Sequence, residues 1–116
     1  MSDHDPRVLL IDMVDAMDAI TEFSAGMSYQ NYLADRKTRD AIYRNIEVMG
    51  EAVARMPEYY LNAHTDIPWA KIRSTRNAFI HGYDKIDDSI VWNIVTRLLP
   101  DLRNRLQLLL DMRDDA

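Results

Sequence analysis

At 116 residues, 47% hydrophobic and 28% charged, the chain is predicted to form one soluble globular domain, long enough to bury about two-thirds of its unfolded surface. The absence of cysteine excludes disulfides and thiolate metal sites, and the net charge of −5 excludes a general nucleic-acid binder with a broad basic face. No apolar run reaches the roughly 20 residues of a membrane span, and MSDHDPRVLL carries acids where a signal peptide would be positive, so a cytoplasmic protein is expected.

Three glycines and four prolines leave little room for the turns of a β fold. Apolar residues recur at spacings of three and four nearly throughout, which predicts an all-α, antiparallel bundle of four principal helices plus a short extra helical turn. The first helix begins at Asp5-Pro6, a capping carboxylate before a proline, and stops at Gly26. Its inward face reads Leu9, Met13, Ala16, Ile20 and Phe23. A connector follows, with room for one turn over Tyr29 to Leu33. The second helix is capped by Asp35, runs to about Met56 and is closed by Pro57, with Ile42, Ile46, Met49, Val53 and Met56 as its stripe. Gly50 costs this helix up to about 1 kcal/mol against Ala, which close approach of a neighbouring helix would compensate.

A short turn is expected over Glu58 to Ala63. The third helix is placed from near Asp66, with Pro68 in its first turn, to Gly82. The fourth runs from about Asp87 to Met112 along Val91, Val95, Leu98, Leu102, Leu106 and Leu109. Pro100 removes the hydrogen bond to Thr96, so a kink is predicted there. The seven methionines read as core filler.

The third helix carries the chemistry. Trp69, Ile72, Arg76, Phe79 and Tyr83 follow the spacing of a core face, which sets Arg76, a cation, in the middle of an apolar stripe. From Pro68 to Tyr83 the chain has Lys71, Arg73 and Arg76 but no acid, so any anion site should be local. Arg73, Asn77 and His81 form a second line, with successive members about 40° apart around the axis. His81 is about 140° from Arg76 on an ideal helix, so the two groups could converge across a two-fold interface between copies of the chain. Arginine offers a planar fork of donors for phosphate oxygens, Asn77 an amide, Tyr83 a hydroxyl, and His81 a proton exchangeable near neutral pH. No carboxylate cluster accompanies them, and the three histidines lack ligand spacing. The set points to metal-independent phosphodiester chemistry, with Arg76 stabilising charge on the phosphoryl group and His81 moving protons. Plainer readings stand beside this one. Arg76 could pair with Glu47 or Glu51 and hold the bundle in register. His81 could complement a helix dipole, Gly82 could be a left-handed stop, and Tyr83 could be a core aromatic.

The pattern Arg76-x-x-x-x-His81-x-Tyr83, with Asn77 directly after the arginine, resembles the signature of the HEPN superfamily, and more narrowly of the HepT-like toxins paired with minimal nucleotidyltransferases. The resemblance spans nearly the whole chain, through DPRVLLIDMVDAMDAI, ADRKTRDAIYRNIEVMGEA, IPWAKIRSTRN and IVWNIVTRLLPDLRNRL. It implies a helical bundle that dimerises and gathers two Arg–His motifs in an interfacial cleft. It also implies an RNA-cleaving toxin of a type VII-like toxin–antitoxin system that needs no cofactor, acting by attack of the ribose 2′-hydroxyl on the adjacent phosphate. Arg76 and His81 become the catalytic pair, with Asn77, Arg73 and Tyr83 in support. Tyr83 is also the position at which a nucleotidyltransferase antitoxin would attach AMP. The RNA substrate could be a tRNA or an mRNA. Some relatives imply an alternative, a non-catalytic helical binding partner of a nucleotidyltransferase.

Overall fold

The computed structural model describes residues 5–81 and 86–112, with 77–81 described by their backbone alone. Each helix starts where a side chain satisfies its first free amides. Asp5 caps α1 (Pro6–Ser24), accepting from the Arg7 amide at 2.9 Å, and Gly26 takes the left-handed φ of +73° that ends it. Ser28 and Asn31 form a reciprocal capping box on α2 (Tyr29–Ala34). Asp35 caps α3 (Arg36–Arg55), accepting from the Thr38 amide at 3.0 Å and its hydroxyl at 2.8 Å, and these bonds hold its carboxyl below the usual range. After α4 (Glu58–Ala63), α5 covers Trp69–His81. Asp87 then caps α6 (Asp88–Asn93), a π-helical turn spans Ile94–Leu98, and α7 covers Leu99–Asp111.

The all-helical expectation holds. Helix α3 is the centre of the fold, packing on α1 along one side and on α5 along another, while α7 lies against α1. Met13, Met17, Ile20, Ile42 and Leu106 are sealed in the shared core. Met49 and Met56 are also buried, but Met112 is exposed, so methionine is core filler only in part. No helix among the described residues is long and apolar enough to cross a membrane.

Three boundaries or faces differ from expectation. The third principal helix starts at Trp69, because His64 to Ile67 form a tight turn whose carbonyls take the Ile67 and Trp69 amides and the Trp69 indole. Phe23 is exposed, since α1 outlasts its contact with the core after Ile20. In the last helix Leu98 is 41% exposed and Leu109 only partly buried, while Leu99 and Leu110 point inward. The cause is the π turn. The interruption expected at Pro100 takes this form, lying just before the residue that has no amide to donate, and it shifts the inward face by one residue.

Candidate active site

The site begins with a missing side chain. Gly50 of α3 faces Arg76 of α5, and a Cβ added at Gly50 would lie 2.1 Å from the Arg76 Cβ and 2.7 Å from its Cγ, far inside contact distance. The two helix backbones therefore meet at a distance only glycine permits, which explains its place mid-helix despite a propensity cost of about 1 kcal/mol. From this crossing the Arg76 side chain runs over α3, and its Nη2 donates to Glu51 Oε2 at 2.8 Å. The other oxygen of Glu51 lies 3.5 Å from Arg55 Nε. One carboxylate is thus shared by two guanidiniums.

This answers the question of how an apolar stripe tolerates a cation. Arg76 is matched, and its acid is Glu51. Glu47, the other candidate, lies 3.9 Å from Arg44 instead. The Arg76 side chain remains 27% exposed and that of Glu51 45%. An ion pair so wet contributes about 1 kcal/mol or less, so its main effect is to orient the guanidinium rather than to stabilise the bundle. Sequence reasoning offered Glu51 beside Glu47 as a structural partner of Arg76 and gave it no place in the site. The signal that it belongs to the site was present in the pair Gly50-Glu51, where a residue that admits another helix is followed by one that can hold what that helix brings.

Arg73 and Lys71 lie exposed on α5, three and five residues before Arg76. Helix α5 continues to His81, so the His81 backbone lies about 7.5 Å further along the axis and about 140° around it. The side chains of Asn77 and His81, all of Tyr83, and the expected stop at Gly82 lie outside the described residues. On the other flank of α5 an apolar groove of about 320 Å³ runs between Thr75 and Ile72 on one wall and Ile94 and Leu98 of the π turn on the other. Among the described residues no three His, Asp or Glu side chains converge to hold a metal ion.

Comparison with known proteins fixes the frame for this geometry. The family described as Ribonuclease HepT-like matches residues 13–109. The chain belongs to the HepT-like ribonuclease family. A Methanocaldococcus jannaschii protein provisionally named an RNase is 33% identical over 99% of this chain and 96% of its own length. A Thermococcus cleftensis protein provisionally named ribonuclease HepT is 31% identical over 86% of this chain and 91% of its own. A third, from Caldanaerobacter subterraneus and also provisionally named an RNase, is 27% identical over 90% and 94%. No solved structure matches the chain. Within the HepT-like family match lie Gly50, Glu51 and Arg76, together with His81 and Tyr83 of the motif.

Proposed function

We propose that this HepT-like protein is a metal-independent endoribonuclease in which Arg76 and His81 form the catalytic pair. The observation that carries the reading is the partly exposed Arg76 guanidinium, oriented by Glu51 over Gly50, on the helix that also bears His81 in a chain of a ribonuclease family. In this mechanism Arg76 donates to a non-bridging phosphate oxygen as charge builds on it. His81 moves the proton of the ribose 2′-hydroxyl as that oxygen attacks the adjacent phosphorus. The P–O5′ bond breaks, leaving a 2′,3′-cyclic phosphate and a 5′-hydroxyl. Arg73, Asn77 and Tyr83 support the substrate. Purified protein should cleave RNA to these ends in the presence of a chelator; intact RNA at every protein concentration would overturn the proposal.

The composite site requires a homodimer. Support comes from the exposed Ile90 and Leu98 and the partly buried Ile94, spaced four apart along α6 and the π turn, and from the groove beside them. We read the protein further as the toxin of a type VII-like toxin–antitoxin pair, silenced by a cognate nucleotidyltransferase through complex formation, AMPylation of Tyr83, or both. Adenylate there would add bulk and negative charge beside an anion site. Intact mass after co-expression with the nucleotidyltransferase should rise by an adenylate, and the gain should vanish in Tyr83→Phe. An unchanged mass in a neutralised complex would leave binding alone as the means of silencing.

The Arg76–Glu51 pair favours a second reading, the non-catalytic binding partner of a nucleotidyltransferase, in which Arg76 only holds α5 on α3. That reading predicts a stable complex and no RNA cleavage.

A further inference from the structure

A second polar cluster lies away from Arg76, and nothing in the proposed chemistry uses it. Asp88, the first residue of α6, accepts hydrogen bonds on one oxygen from the Tyr32 hydroxyl at 2.6 Å and from the Tyr43 hydroxyl. Its other oxygen faces Arg39 Nε at 4.0 Å. The same arginine donates to the Tyr32 and Leu33 carbonyls at the end of α2. Tyr32 is completely buried, with its ring 5.0 Å from that of Trp92 in α6. Burial, and then the bond to Asp88, raise the Tyr32 hydroxyl far above its ordinary pKa and push Tyr43 up to about 12. Both phenols therefore remain donors at any pH at which the protein functions. Three helices, α2, α3 and α6, are tied together through one carboxylate.

The position of this tie matters. Asp88 stands seven residues beyond His81. The chain that contains the motif is thus held to α3 at two places, before it by Arg76 over Gly50 and Glu51, and after it by Asp88 under Tyr43 and Arg39. Tyr43 and Gly50 are seven residues apart on α3, which sets the two anchors about 10 Å apart along that helix. We infer that Asp88 is a positioning residue for RNA cleavage, with Tyr32 and Tyr43 as its partners, fixing the far end of the motif segment on the helix that already fixes its near end. For its activity readout this rests on the ribonuclease reading; for its structural readout it does not.

The test separates position from stability. Asp88→Ala alone would strand two phenol hydroxyls, so the informative protein is the triple variant Tyr32→Phe, Tyr43→Phe, Asp88→Leu, which removes the carboxylate and both hydroxyls together and leaves Arg39 on the Tyr32 and Leu33 carbonyls. We expect it to melt near the wild type and to show amide exchange in α6, residues 88–93, faster by about tenfold, with α1 and α3 unchanged. Its kcat for RNA should fall by about tenfold or more while KM stays within about twofold, as a displaced group would produce. Unchanged exchange in α6, or a kcat that follows the melting temperature alone, overturns the inference. If the wild type itself cuts no RNA, the ribonuclease reading fails while the exchange result still decides this one. If the triple variant does not fold, Tyr43→Phe carries the same comparison with a smaller shift.

Discussion

Replacing Arg76 with Ala is expected to lower kcat/KM for RNA cleavage by about 10²–10³-fold, the usual loss when a preorganised donor to a developing oxyanion is removed. The melting temperature should barely move, because the ion pair with Glu51 is partly open to solvent and contributes about 1 kcal/mol or less. Arg76→Lys should recover only part of the activity: it restores the charge but presents one ammonium where the guanidinium offers a fork. Glu51→Gln should lie between wild type and Arg76→Ala, since the arginine keeps its charge and loses the partner that aims it. Steady-state kinetics on one RNA with parallel thermal melts would check the series. Equal cleavage by wild type and Arg76→Ala would remove Arg76 from the chemistry. A large fall in stability with unchanged cleavage would make it a strut between α3 and α5.

The second large effect is expected at Gly50. Alanine there improves helix propensity by about 1 kcal/mol, so on secondary structure alone Gly50→Ala should stabilise α3. The structure predicts the opposite sign. The new methyl would lie 2.1 Å from the Arg76 Cβ, an atom fixed to the α5 backbone that cannot swing aside. Helix α5 must then move as a body, and overpacking of this kind costs about 1–3 kcal/mol, more for Gly50→Val. Denaturant unfolding should show the loss in stability. Cleavage by the folded fraction should fall too, because moving α5 separates Arg76 from Glu51. A stabilised Gly50→Ala protein would mean that the two helices do not touch at this point.

How much of this was legible in the sequence depends on how local each determinant is. The caps Asp5 and Asp35 were readable, and Asp87 as the start of the last helix, because a capping carboxylate acts on amides two or three residues away. Gly50 announced a close approach because glycine in the middle of a helix needs a reason. Its partner was less visible: Glu47 and Glu51 stand one turn apart on α3, and only the register between α3 and α5 selects Glu51 for Arg76. The cluster around Asp88 left no trace in the sequence. Its members are separated by 45 and 56 positions, and Asp88 reads simply as an acid in the first turn of a helix. The motif Arg76, Asn77, His81 and Tyr83 was legible as a pattern, and the family match places the chain among HepT-like ribonucleases.

The π turn has a consequence for chain length. From Val91 to Leu110 the buried positions step by four, four, three, four and four residues. In an uninterrupted α-helix such steps would carry the apolar face roughly 100° around the axis. A single wider turn absorbs about one residue and cancels that rotation. A deletion between Val95 and Leu99 would therefore let the rod close up into ordinary α-helix with the same leucines facing inward. What would change is the outer side, where Leu98 now lines the groove against α5. Residue number in this stretch sets the shape of that outer wall, and the interior tolerates either length.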